Sequence, residues 1–162
     1  MAKIGKYVKV EIHRPFCGWA GIEIDDGEDR FYGCLSYIDD VPWVFLKAFR
    51  IYLETNQSVA LEFDEEGTGF TLVIQYSRLL IIREARKIEY HSIYISAEDF
   101  IRLVVRELLA NLDAWAEWEF VGGETTDQYR EEYMSLYNEC RSIYIKCLDK
   151  NQEELNELGK KY

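Results

Sequence analysis

Two histidines, His13 and His91, are the only side chains in this sequence whose usual pKa lies near neutrality. A histidine-based acid/base mechanism would have to use one of them. Both flank predicted strands, and no Gly-x-Ser-x-Gly nucleophile elbow accompanies them. We therefore interpret both as ordinary residues at strand edges and predict no catalytic residue.

Cysteine, histidine and carboxylate side chains also raise the question of a metal site. His13, Cys17 and Cys34 are possible zinc ligands, but they lack the spacing of two intervening residues that is typical of structural zinc sites. The segment from Asp25 to Asp29 offers carboxylates to calcium, yet it lacks the D-x-D-x-D-G order and the distant bidentate glutamate of a calcium loop. We predict neither a metal nor a cofactor.

Glycine pairs do not form a phosphate-binding loop in this sequence. Gly67 with Gly69, and Gly122 with Gly123, match neither G-x-x-x-x-G-K nor G-x-G-x-x-G. Kinase-like and dinucleotide chemistry are therefore disfavoured.

Acidic side chains are concentrated in three short segments at predicted strand or helix ends, where short connections could bring them together. These segments carry nine carboxylates and no basic residue. Complementary charge speeds the encounter with a basic partner, and aromatic anchors supply most of the affinity. The simpler alternative is that the loops are acidic because the whole protein is. The predicted partner-binding residues are Asp25, Asp26, Glu28, Asp29, Asp39, Asp40, Asp64, Glu65, Glu66 and Trp118.

The overall charge makes some classes of binding partner unfavourable. The 162 residues include 30 acidic and 19 basic side chains, which gives a net charge of −11. A negative field repels phosphate backbones and anionic lipid headgroups, so we expect neither nucleic acid nor a membrane as a ligand. No signal peptide and no run of roughly 18 to 20 apolar residues is visible. We expect a cytosolic protein whose cysteines are buried free thiols.

Alternating apolar residues predict most of the strands. Three strands are expected over Tyr7–Ile12, Trp19–Ile24 and Phe31–Tyr37. A hairpin with a glycine-containing loop is expected from Val59 to Tyr76. The apolar run Leu79–Ile82 predicts a central strand, and a last strand is expected to end at Ile93 or Ile95.

Capping residues and apolar stripes predict the helices. Asp39 or Asp40 can cap a helix with Pro42 in its first turn, and this helix should run to about Thr55. Ser96 with Asp99 resembles a capping box for a long helix that ends near Phe120, with Trp115 on its buried stripe. The pattern predicts a further helix from Thr126 and a short one from Asn151 to Gly159, and we assign the stripe of Tyr129, Tyr133, Tyr137 and Tyr144 to core packing.

The order of these elements is strands, one helix, strands, then helices, without a regular βαβ alternation. This order predicts a single α+β domain over residues 1–162. We expect an antiparallel sheet of about five to seven strands with one inserted helix and two C-terminal helices packed on it.

The chain resembles the small cytosolic immunity proteins of bacterial polymorphic-toxin and contact-dependent inhibition systems. The resemblance rests on a general plan over about residues 7 to 120. That plan comprises strands around Trp19-Ala20-Gly21 and Phe31-Tyr32-Gly33, the hairpin at Phe63-Asp64-Glu65-Glu66-Gly67, and the helix from Ser96-Ala97-Glu98-Asp99-Phe100 to Trp118. It implies a non-enzymatic inhibitor that binds a cognate toxin domain and blocks its active site or substrate entry.

Three functional hypotheses therefore stand. The leading one is an acidic binding protein that neutralises a basic partner, such as a toxin nuclease with a cationic surface. A second is a small-molecule-binding or regulatory module with an aromatic pocket between sheet and helices. A third is an enzyme that uses carboxylates alone, for instance Glu62 or Glu84 on predicted strands.

Overall fold

The structure is a computed structural model of the chain. It describes residues 7–117 and, in the C-terminal part, positions 131, 135, 138–139, 141–143 and 145–146. The strands are β1 Lys9–Ile12, β2 Trp19–Asp25, β3 Arg30–Ser36, β4 Val59–Asp64, β5 Gly69–Ile74, β6 Leu79–Glu84 and β7 Ile88–Ile93. The helices are α1 Val41–Thr55, α2 Ala97–Ala110 and α3 Leu112–Glu117.

The seven strands form two antiparallel sheets, and the α+β class is confirmed. One sheet has the order β1-β2-β3 and the other has the order β4-β5-β6-β7. The expectation of one continuous sheet is wrong. The chain leaves β3 into α1, and the free edge of β3 meets side chains of Glu65 and Arg83 from the second sheet rather than another strand.

A predominantly apolar core lies between the inner sheet faces and the helices. Alternation within β4 and β5 turns Leu61, Phe63, Phe70 and Leu72 inward. Aromatic rings join the two sheets: the ring centroids of Phe31 and Phe70 lie 5.1 Å apart. Helix α1 packs beside β4, and α2 packs against β1.

The predicted caps form. The Asp40 carboxylate accepts a hydrogen bond from the Trp43 backbone N–H at 3.4 Å, and the Ser96 hydroxyl accepts one from the Asp99 N–H at 3.1 Å. The predicted long helix is interrupted at Asn111. This residue caps the C-terminal end of α2 with φ of −129°, which lies outside the helical region. Asparagine has a low helix propensity, and its side-chain oxygen here faces Arg14.

The C-terminal region is described only in part. Ile143 is buried in the core, and Glu139 forms an ion pair with Arg50 of α1. The tyrosine stripe at 129, 133, 137 and 144 and the short helix expected over 151–159 lie outside the described residues. Among the helices that are described, none is both long and apolar enough to cross a bilayer.

Candidate functional site

A groove of about 590 Å³ lies where the four-stranded sheet meets the connection between β3 and α1. Four carboxylates line it, and we call this site the acidic groove: Asp39, Glu62, Asp64 and Glu84. The hydroxyl-bearing residues Thr68 and Thr71 and the glycines of the β4–β5 turn also border it. The groove therefore combines residues from three strands and two loops.

Strand register brings Glu62 and Glu84 to the same face. In the antiparallel pairing, Glu62 lies opposite Thr71, and Gly69 lies opposite Glu84. Because side chains alternate along a strand, residues paired across the ladder point to the same side. The inward positions of β4 are occupied by Leu61 and Phe63, which leaves Glu62 on the outer, solvent-facing side.

A hydrogen bond across the groove holds its two loops together. The Asp64 backbone N–H donates to the Asp39 carboxylate at 2.7 Å, which ties the β4–β5 hairpin to the β3–α1 connection. The Asp64 carboxylate in turn accepts a hydrogen bond from the Glu66 N–H at 2.7 Å. Asp39 and Asp64 are therefore positioned by backbone contacts, while part of each carboxylate stays available to a ligand.

The groove carries negative charge. Among the residues that the structure describes, its lining contains no lysine, arginine or histidine, so none of its four carboxylates is paired with a cation within this described lining. Clefts lined by one sign of charge concentrate field lines and attract ions of the opposite sign. The arrangement is suited to binding ammonium or guanidinium groups of a partner.

Asp40 lies beside the groove but serves α1. Its carboxylate caps the helix at Trp43, and burial raises the pKa of Asp40 above its ordinary value, while the hydrogen bond from the Trp43 N–H acts in the opposite direction. Burial therefore makes ionisation of the Asp40 carboxyl less favourable than in water. Asp40 is primarily a helix-capping residue in this structure.

Glu65 has a role that its neighbours do not share. Its side chain is only 6% exposed and forms an ion pair with Arg83, with Nε and Oε1 3.1 Å apart. Its other oxygen accepts the Cys34 N–H at the open edge of β3 at 2.9 Å, and Arg83 donates to the Tyr32 carbonyl on that edge. The Glu65–Arg83 pair thus joins the two sheets, and we leave Glu65 out of the groove.

The Asp25–Asp29 loop lies apart from the groove. Asp25 and Asp26 accept hydrogen bonds from backbone N–H groups of their own turn, from Gly27 and from Glu28 and Asp29. The Asp29 carboxylate contacts the His91 ring nitrogen of β7 at 2.8 Å. None of these loop residues lines the acidic groove.

The structure therefore divides the predicted binding residues into groups. Asp39 and Asp64 meet in the groove, and Glu66 is exposed at its hairpin tip. The carboxylates between Asp25 and Asp29 form a separate loop, and Trp118 lies outside the described residues. The sequence suggests Glu62 or Glu84 only as examples of catalytic carboxylates and not as binding residues, although strand alternation places Glu62 and Asp64 on one face.

The histidines and cysteines do not converge. Within residues 7–117 and the described C-terminal positions, no three His, Cys, Asp or Glu side chains are grouped as metal ligands would be. Cys17 and Cys34 are free thiols. The expectation of burial is wrong for Cys17, which is exposed because it occupies the tip of the β1–β2 turn, and Cys34 is only half-buried. Cys140 and Cys147 lie outside the described residues.

Comparison of the chain with protein-family models, with curated proteins and with solved structures found no match. The residues of the acidic groove are therefore the basis on which a function can be assigned.

Proposed function

We propose that this protein is a non-enzymatic binding protein that neutralises a basic protein partner through the acidic groove. The observation that carries the proposal is the convergence of Asp39, Glu62, Asp64 and Glu84, with no basic residue among the described residues of the lining. The net charge of −11 adds a long-range attraction that raises the association rate with a cationic protein.

A toxin domain is the partner class that we favour. A nuclease carries a cationic surface for its own phosphate-rich substrate, and an acidic inhibitor competes for that surface by charge and shape. The chain's resemblance to bacterial immunity proteins agrees with this class. The protein would then act in the cytosol of the cell that it protects.

Binding to defined cationic peptides tests the groove. The probe is a labelled twelve-residue peptide in which arginine alternates with serine, and its dissociation constant is measured by fluorescence anisotropy. The variant Glu62→Gln/Glu84→Gln removes two groove charges, and we expect affinity to fall about threefold to tenfold, since exposed ion pairs contribute about 0.2 to 1 kcal/mol each. Raising ionic strength should shrink this difference.

A charge-matched control separates the groove from net charge. Glu54→Gln/Glu131→Gln also removes two exposed acids. Glu54 lies at the C-terminal end of α1, whereas Asp40 caps its N-terminal end. The control should bind like the wild type to within about twofold. Equal losses in both variants, or binding that ignores salt, would contradict a specific groove for a basic partner.

The carboxylate-enzyme alternative has one observation in its favour. Glu62 and Glu84 do line the same groove, but both are exposed rather than enclosed in a cleft shielded from water. If the protein were a carboxylate enzyme, the variants Glu62→Gln and Glu84→Gln would abolish turnover while peptide affinity stayed unchanged.

A further inference from the structure

Five large apolar side chains are exposed on three successive parts of the chain that hydrogen bonds connect. They lie at the β1–β2 turn and the start of β2, in the β3–α1 connection, and in the first turn of α1. We call this surface the aromatic end, and it comprises Phe16, Trp19, Tyr37, Ile38 and Trp43. Phe16 is 77% exposed and Trp43 is 49% exposed. Exposed apolar clusters of this kind are typical of interaction sites.

The β1–β2 turn holds the first two of these residues in place. Phe16 and Trp19 exchange backbone hydrogen bonds, with N···O distances of 2.8 and 3.0 Å. Cys17 and Gly18 between them have φ of 50° and 80°, the positive values that a tight two-residue hairpin turn needs. Phe16 and Trp19 therefore flank a turn of defined geometry rather than a loose loop.

The second part of the aromatic end is attached directly to this turn. The Tyr37 N–H donates to the Gly18 carbonyl at 2.9 Å. A Cβ on Gly18 would lie 2.9 Å from the Tyr37 ring, so this ring packs against the glycine. The part of the aromatic end formed by Phe16, Trp19 and Tyr37 is thus preorganised, which lowers the entropy lost on binding.

Two acidic residues, Asp39 and Asp40, lie in the chain between Ile38 and the helix turn that carries Trp43. Ile38 directly precedes Asp39, whose carboxylate is bonded to Asp64 in the acidic groove. Trp43 donates its backbone N–H to Asp40. A surface that offers aromatic faces beside carboxylates is complementary to arginine, because a guanidinium group can stack on a ring while it pairs with an acid.

We propose that the aromatic end is the anchoring part of the partner interface and binds a protein surface that carries exposed arginine side chains. This inference rests on the proposed function and assigns the residues that supply most of its affinity, since aromatic residues dominate binding hot spots. A second copy of this chain is disfavoured as the occupant, because the acids that border the aromatic end would face the same acids in the copy.

Substitution of Trp43 and Phe16 tests the assignment. The Arg-Ser peptide and a matched Lys-Ser peptide are titrated against Trp43→Ala and Phe16→Ala. We expect an affinity loss of about fivefold to tenfold for the arginine peptide and a smaller loss for the lysine peptide, since arginine stacks better on aromatic faces. Thermal denaturation verifies that each variant is folded.

Exposed tyrosines elsewhere provide the control. Tyr76 is 78% exposed at the β5–β6 turn, and Tyr90 is exposed on β7. Tyr76→Ala and Tyr90→Ala should bind both peptides like the wild type. In the wild type, the arginine peptide should also lower acrylamide quenching of tryptophan fluorescence, and Trp43→Ala should lose part of this protection.

The possible failures are distinguishable. If the wild type binds neither peptide, the proposed function and this inference both fall. If the Glu62→Gln/Glu84→Gln variant loses affinity while Trp43→Ala and Phe16→Ala do not, the groove stands and the aromatic end is overturned. Self-association of the wild type that Trp43→Ala abolishes would identify a second copy as the occupant and would also overturn the inference.

Discussion

The two acidic hairpin loops of this protein have similar compositions but different surroundings. In the β2–β3 loop, Asp25 and Asp26 bond to backbone groups of their own turn. In the β4–β5 loop, Glu65 instead reaches β3 of the other sheet and pairs with Arg83. Asp29 of the first loop also reaches the second sheet, where its carboxylate contacts His91 at 2.8 Å, but the Asp29 side chain is 38% exposed whereas that of Glu65 is 6% exposed. Two loops of similar acidic composition thus differ in how deeply their acids are buried against distant partners.

The largest expected effect tests the joining role of Glu65. Glu65→Ala leaves the Arg83 guanidinium without its main partner and the Cys34 N–H without its acceptor. Loss of one member of a largely buried pair should lower the free energy of unfolding by about 3 kcal/mol. Urea denaturation measures the loss.

The neighbouring residue is the control for this prediction. Glu66 is exposed, so Glu66→Ala should change stability by less than about 0.5 kcal/mol. A Glu65→Ala protein as stable as Glu66→Ala would remove the distinction between the two loops.

Alanine substitution of one glycine in each loop should cause an intermediate loss of stability that differs between the two turns. Gly67 in the β4–β5 loop has φ of 132°, whereas Gly27 in the β2–β3 loop has φ of 86°, and neither has a neighbour that a Cβ would meet. The loss of stability on substitution by alanine should then come from backbone strain alone. Because 132° lies further from the left-handed well, Gly67→Ala should cost about 2 kcal/mol and Gly27→Ala about 1 kcal/mol in thermal denaturation. The reverse order would mean that loop closure, rather than φ, sets the cost.

The smallest expected effect concerns the third acidic segment, where Asp40 caps α1. Burial raises the pKa of Asp40 in the folded state, so ionisation is harder there than in the unfolded chain. The contribution of Asp40 to stability should therefore be present at low pH and be lost as the pH rises above the usual aspartate pKa of about 3.9. Because solvent screens this partly exposed group, the change should be on the order of a few tenths of a kcal/mol.

Asp40→Asn keeps an N-cap acceptor and removes the titration. The difference in unfolding free energy between the variant and the wild type should shift in favour of the variant between pH 3 and pH 6. A difference that is constant over this range would show that Asp40 titrates alike in both states.

Much of the local structure follows from the sequence. Alternating residues such as Val59, Leu61 and Phe63 locate strands, because a half-buried strand must bury every second side chain. Asp40 and Ser96 mark helix starts, since their side chains satisfy backbone N–H groups that have no helical partner. These signals depend on neighbours within a few residues.

Other features depend on partners that are distant in the chain and cannot be predicted from local patterns. The division into two sheets, the burial of Glu65, the convergence of Glu62 and Glu84, and the packing of Tyr37 against Gly18 all join segments far apart in the chain. A glutamate in an acidic turn has the same local sequence whether water or an arginine faces it. Local sequence patterns are sufficient to predict the strands, the helix starts and the acidic character. Which acids remain available for binding depends on long-range register, because pairing and burial are set by contacts that no local pattern records.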